Sequence, residues 1–285
     1  MIYKNNTLKH WGQTIRAVLL FVVLIGVSCK EAPKNGGTVA AKEALKVADQ
    51  ESEQTGTPLY RTSITATDID FIRASDTDAF KSLAYVEQGA REMPGSESGE
   101  LMDPGTFVFQ VNFKEGKDIE IWAHSAFGTI NAAKVYADKL GGRLGKLPLY
   151  MRNKLSHVVL HKGDSNAFAE DAGGFFVLYS ENMDERISTN DLEETVFHEA
   201  VHVAFDLAHA KSKEWKEAQK NDGVFITEYA QSRPEKEDLA ESAIFVYTKL
   251  THPGRLDDKV VQWMETNIPN RLVYIEDLFE KTNKK

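Results

Sequence analysis

Asn190-Asp-Leu-Glu-Glu-Thr-Val-Phe-His-Glu-Ala-Val-His-Val-Ala-Phe-Asp-Leu-Ala-His-Ala210 is the stretch from which the rest of the chain is best read. Its apolar residues Val196, Phe197, Val201, Val203, Ala204 and Phe205 are dense enough to bury a helix. Asn190 to Glu193 has the form of a capping box, and Asp191, Glu193 and Glu194 favour the positive helix end. The spacing therefore predicts a long buried helix from near Asn190 to about Ala210. Inside it lies His198-Glu199-Ala200-Val201-His202. Residues four apart stack on one helix face, so both imidazoles reach one metal ion. Glu199 is offset around the helix and points beside that ion, where a general base for an activated water belongs. Buried, these polar groups need partners, because unpaired polar side chains in a core are costly.

Two histidines do not complete a site. His209 lies seven residues after His202, roughly 10.5 Å along the axis, and cannot share the ion. His157 and His161 project from one side of a strand about 13 Å apart and are no ligand pair. Carboxylates remain. Glu237 and Glu241 are again four apart, beside the apolar face of Leu239, Ala240, Ala243, Ile244 and Tyr247. Glu235 and Asp238 suit the charge of a helix start, and Glu228 is a competing third ligand.

HExxH followed by a downstream ExxxE helix resembles the gluzincin arrangement of zinc metallopeptidases. Tyr229-Ala-Gln-Ser-Arg-Pro-Glu-Lys-Glu237-Asp-Leu-Ala-Glu241 is most similar to the catalytic domain of anthrax-lethal-factor-like peptidases. The likeness spans His198 to Tyr247, and its Tyr-to-Glu spacing is one residue longer than that family's. It implies a zincin-like α+β fold with a small mixed sheet, Zn²⁺ as cofactor, His198, His202 and Glu237 as metal ligands and Glu199 as catalytic base. It further implies Glu241 as the acceptor orienting a ligand histidine and Tyr229, in a loop before the helix, as oxyanion donor. In such enzymes an edge strand binds the substrate backbone, a role for which Gly173–Tyr179 is the candidate.

Around this centre the coarse reading is strands first, helices afterwards, which suggests an α+β layer architecture. Ala79–Glu92 reads as a helix after the capping cluster Ser75–Asp78, and Met93–Pro104 as a loop. Phe107–Phe113 and Asp118–Ala123 alternate as a β-hairpin. Asn131–Leu140 reads as a helix stopped by Gly141-Gly142. Leu155–Leu160 and Gly174–Tyr179 read as strands. Ser232-Arg-Pro-Glu235 opens a helix to about Leu250, and a last amphipathic helix from Asp257 to Leu278 is interrupted near Pro269.

The N-terminus has the grammar of an address. Lys4, Lys9 and Arg16 precede the eleven-residue apolar run Ala17–Val27 and then Ser28-Cys29. That order is a secretory signal, too short for a membrane span, which needs about 20 apolar residues. Gly26-Val27-Ser28-Cys29 resembles a bacterial lipobox, with Gly26 where Leu is usual. This implies a signal peptide over 1–28 and lipidation of Cys29, hence an extracytoplasmic lipoprotein of the outer membrane, periplasmic or surface-exposed. Lys30-Glu31 resembles the surface-export signal of some lipoproteins. Residues 29–57 hold no aromatic residue and read as a flexible tether. The catalytic body is 58–285, with an N-terminal helix and hairpin portion over 58–125 and the metallopeptidase core over 126–285. Residues 58–104 either cover the site or form a separate binding module.

The 285 residues, 42% hydrophobic and 27% charged, fit a globular body and exclude a disordered chain. A net charge of −9, more negative still without the leader, repels phosphate backbones and argues against a nucleic-acid partner. One cysteine excludes an intrachain disulfide and a multi-thiolate zinc site. The expected activity is hydrolysis of peptide bonds in an extracytoplasmic protein or peptide. Alternatives are an inactive zincin scaffold that binds protein or glycan, a metal hydrolase of a non-peptide bond, and an assembly factor with a fortuitous motif.

Overall fold

The computed structural model describes residues 56–96 and 98–283. The expected signal peptide, Cys29 and nearly all of the tether lie outside them. The fold is α+β, a six-stranded mixed sheet with helices packed on one face.

The sheet begins with a meander of β1 (Phe80–Glu92), β2 (Met102–Phe113) and β3 (Ile119–Ala123). Alternation in β2 puts Phe107, Phe109, Val111 and Phe113 into the core, and β3 answers with Ile119, Ile121 and Ala123. The expected hairpin is thus present, with Phe109 opposite Ile121.

Ala79–Glu92 is not a helix. Its Ala, Glu and Gln favour one, but by only tenths of a kcal/mol each. Pairing along nearly all of β2 supplies partners for its backbone instead, with Leu83 opposite Val111 and Gln88 opposite Phe107. Strand β2 also starts at Met102, inside the stretch expected to be loop. Because β1 and β2 belong to the common sheet, the 58–104 region is not a separate module.

Helix α1 (Ile130–Lys146) runs through Gly141-Gly142 rather than stopping there. A Cβ on Gly141 would lie 2.5 Å from the Phe80 ring, and one on Gly145 2.6 Å from the Phe80 backbone nitrogen. These glycines allow the helix to lie almost in contact with β1, which outweighs their entropic cost. After the short α2 (Leu149–Arg152) come β4 (His157–His161), β5 (Phe168–Glu170) and β6 (Phe175–Tyr179). Strand β4 is parallel to β3 and β6, and β5 returns antiparallel to end the sheet, giving the order β1-β2-β3-β4-β6-β5.

Helix α3 (Ser180–Ser188) leads to α4 (Leu192–Val201), every residue of which is buried. The expected capping box does not form. Asn190 takes a left-handed φ of 59° and Asp191 becomes the cap position. Glu193 turns instead to Arg143, 3.0 Å away. Beyond Val201 the helix continues to Ala210 with the wider π hydrogen-bonding pattern.

Glu194, 1% exposed, accepts a 3.1 Å hydrogen bond from the Ile72 backbone N–H. Burial, its largest influence, lifts its pKa to about 7, above the ordinary 4.5. The native state therefore holds this proton more tightly than the unfolded chain, and stability declines as pH rises from 4.5 through 7. Glu194→Gln keeps the acceptor and removes the charge. It should stabilise the protein at pH 8 by about 2–4 kcal/mol and hardly at all at pH 5. Denaturant midpoints at the two pH values check this, and equal shifts would count against a buried titration.

The remaining helices are α5 (Lys213–Asp222), α6 (Glu228–Ser232), α7 (Asp238–Thr251), α8 (Asp258–Asn267) and α9 (Pro269–Asn283). The break expected near Pro269 is there. The single helix expected from Ser232 is not: Pro234 disfavours helical geometry at Arg233, which takes φ −142°, and the next helix starts only at Asp238. Asp238 is more than a first-turn charge. Fully buried, it pairs with Arg271 Nη1 at 2.9 Å, while Arg271 Nε meets Asp222 at 3.0 Å. This triad ties α9 and α5 to the start of α7, next to Glu237. A buried ion pair left incomplete is costly, so the position is sharply specified.

Candidate metal centre

Helix α4 packs between the sheet and α7, so the face carrying His198 and His202 looks at the start of α7. Glu237 caps that start. Its Oε2 lies 3.4 Å from His198 Nε2 and 3.4 Å from His202 Nε2, and the two nitrogens are 3.1 Å apart. Among the described residues these three side chains are the one such group able to hold a metal ion.

The donor set fits a small divalent cation. Tetrahedral ligands held about 2.0–2.1 Å from a metal stand about 3.3 Å apart, close to these three edges. The protonation pattern agrees. His202 Nδ1 lies 2.6 Å from Asp206 Oδ2, which directs its hydrogen there and leaves the Nε2 lone pair facing the other two donors. Two lone pairs and a carboxylate converging without a cation would repel. Burial pushes the His202 imidazole down, but hydrogen bonds and charge from Asp206, Glu237 and Glu199 outweigh it and lift its pKa to about 10. Burial pushes Glu237 up, yet His198 and His202 hold it well below the usual carboxylate range. The pocket demands positive charge, which a proton or a metal ion supplies.

Glu199, 6% exposed, lines the same cleft without joining the donor triangle. Burial is the main reason its carboxyl pKa is raised; the imidazoles pull it down, and Glu237 and Asp206 push it further up. Such a group accepts a proton more readily than an exposed carboxylate.

Glu241, 1% exposed, reaches the back of His198, with Oε1 3.5 Å from Nδ1. It also accepts hydrogen bonds from the Ser63 backbone N–H at 2.8 Å and the Ser63 hydroxyl at 2.9 Å. Residues 59–63 therefore act as a strap behind the centre. The strap continues into a bridge between Tyr60 and Thr227, and the Tyr229 N–H donates to the Arg61 carbonyl at 3.0 Å.

Tyr229 lies in the first turn of α6, not in a loop, and lines the cleft. Burial, then the Glu237 charge, raise its phenol pKa, so it remains a hydrogen-bond donor. Glu228, the competing ligand, is exposed and outside the donor group. His209 bonds the Tyr274 hydroxyl at 2.8 Å, away from the triangle. On the other face of the sheet, His157 stacks against Trp122 with ring centres 3.6 Å apart, and His161 Nε2 meets the Pro94 carbonyl.

Asp206 was missed in the sequence, although its spacing four residues after a ligand histidine is a usable signal. A carboxylate behind a ligating imidazole fixes ring orientation and basicity. Asp206→Asn should weaken metal affinity about 10–100-fold while the fold persists. Competition with a chromophoric chelator measures it, and unchanged affinity would remove Asp206 from the centre.

The cleft holds about 500 Å³ and is bordered by Ala167, Phe168, Ala169 and Asp171 on one side and by Leu207, Tyr229 and Glu237 on the other. The strand beside the centre is thus β5. The expectation for Gly173–Tyr179 fails, because β6 is paired on both edges, with β4 and with β5, and has no free backbone to offer. The three-residue β5 lacked the alternation that reveals a strand in sequence.

No known protein family, no curated protein and no solved structure matches this chain.

Proposed function

We propose that the chain is a zinc peptidase of zincin-like architecture, acting on an extracytoplasmic protein or peptide from a lipid-anchored position on the outer membrane. The observation that carries the reading is the triangle of His198, His202 and Glu237 donors, 3.1–3.4 Å on a side, with a buried Glu199 beside it in one cleft. A merely structural metal site has no need of that fifth-wheel carboxylate. The gluzincin-like spacing of the same residues and the lipobox-like Cys29 support the remaining parts of the proposal.

Zinc held by the three donors would supply Lewis-acid polarisation of a carbonyl and a lowered pKa for a water. Glu199 takes a proton from the attacking water on its carboxylate and hands it to the leaving amine. The Tyr229 O–H donates to the oxygen on which negative charge develops. Glu241 and Asp206 hold the two imidazoles from behind. The outer edge of β5, paired with no strand among the described residues, offers backbone N–H and C=O groups to an extended peptide along the cleft.

The test is digestion of a diverse peptide mixture by the full chain, loaded with zinc, then stripped by a chelator and reloaded. The expected result is a set of cuts lost on stripping and restored on reloading. A folded, zinc-loaded chain that leaves every peptide intact would overturn the peptidase reading.

A further inference from the structure

A second cavity of about 400 Å³ shares His198, Glu199 and Tyr229 as walls with the main cleft. A substrate whose reacting bond lies at Glu199 has this cavity within reach of a neighbouring group. Its chemistry differs from that of the cleft. The purely aliphatic walls are Ile64 and Ala167, and the rest is polar.

Three amide or guanidinium side chains line it. Asn182 is 9% exposed, and its side-chain amide has no hydrogen-bond partner among the described residues. Arg186 places Nη2 on Glu185 at 2.9 Å and Nη1 within 3.4 Å of Asp191, but its Nε is buried without a partner. Arg233 stands at the exposed side, its guanidinium 4.7 Å from the centre of the Tyr229 ring, with no carboxylate partner among the described residues. Of the carboxylates on the walls, Glu241 is already engaged by Ser63 and Glu199 faces the metal centre. The exposed Arg233 guanidinium and the Asn182 amide border the cavity without an anionic partner among the described residues, which suits them to an acceptor that comes from elsewhere.

We infer that this cavity is a recognition pocket for a substrate carboxylate, received by Arg233 together with the side-chain amide of Asn182. The inference rests on the peptidase reading of the adjoining centre and deepens it: the preferred peptide carries an acidic group next to the bond that is cut. An aspartate or glutamate side chain and a free C-terminus share this chemistry.

The experiment separates the two sources, and also separates failure of the pocket from failure of the peptidase reading. Short fluorescent peptides with Glu or Gln at each position, and with free or amidated C-termini, are titrated into the full chain carrying Glu199→Gln. The same peptides are offered to the wild-type chain for cleavage. A Glu peptide should bind at least about tenfold more tightly than its Gln twin, since hydrogen bonds to charged groups exceed neutral ones by that order. Arg233→Gln in the same background should erase the difference. A preference that follows only the free C-terminus assigns the pocket to the terminal carboxylate. Charge-dependent binding without cleavage keeps the pocket and overturns the peptidase reading. Cleavage with equal binding of Glu and Gln twins, or a preference untouched by Arg233→Gln, overturns the pocket.

Discussion

Glu199→Gln is expected to bind zinc with unchanged stoichiometry and to lose turnover about 10²–10⁴-fold, the span of a lost general base. Glu199 stands in the cleft but outside the triangle formed by His198, His202 and Glu237, so the substitution leaves all three donors in place. Gln matches Glu in size, and at a site with 6% exposure a neutral amide costs the fold less than a carboxylate does. Its amide cannot take a proton from water. Metal analysis and peptide turnover on the same preparation provide the check. Parallel loss of zinc and activity would place Glu199 among the ligands and remove it from the role of base.

Glu237→Ala is expected to cut zinc affinity by more than the roughly 100-fold attributed to an outer carboxylate, because it deletes one of three protein donors. Both imidazole nitrogens lose the oxygen that stands 3.4 Å from each. The thermal shift produced by zinc should shrink accordingly, since a ligand at 1,000 times its dissociation constant stabilises by about 4 kcal/mol and one near its constant by well under 1. The metal-stripped variant should fold, because the buried triad of Asp222, Asp238 and Arg271 fixes the start of α7 independently of Glu237. Full zinc retention in a folded Glu237→Ala chain would move the third ligand elsewhere.

The centre was largely legible before the fold was known. Residues four apart on a helix share a face whatever surrounds them, so His198 and His202 could be paired from spacing alone. The geometry that brings Glu237 to them depends on the break at Pro234 and on Arg271 reaching from the last helix, neither of which has a short-range signature. Tyr229 was expected in a loop and occupies a helical turn, because Thr227 caps it with a hydrogen bond to the Ala230 N–H. Asp206 was within reach of the same four-residue rule. Ser63, 178 positions from Glu241, was not.

Local signals were reliable where the chain decides its own conformation: the alternation of Phe107–Phe113, the buried helix around His198, the proline near 269. They failed where a partner element intervened. Residues 80–92 prefer a helix in isolation, and become a strand because β2 offers a long ladder of backbone hydrogen bonds. Gly141-Gly142 looks like a helix stop, and is a contact surface because Phe80 lies against that helix face. Strand β5 and the strap at Ser63 follow the same logic, since short segments with little pattern take their structure from what they touch. Spacing along one helix is a local property and can be read from residues; the approach of Glu237 to the two histidines, the place of β5 beside them and the cavity walls depend on packing between distant segments, whose energies no single stretch of sequence contains.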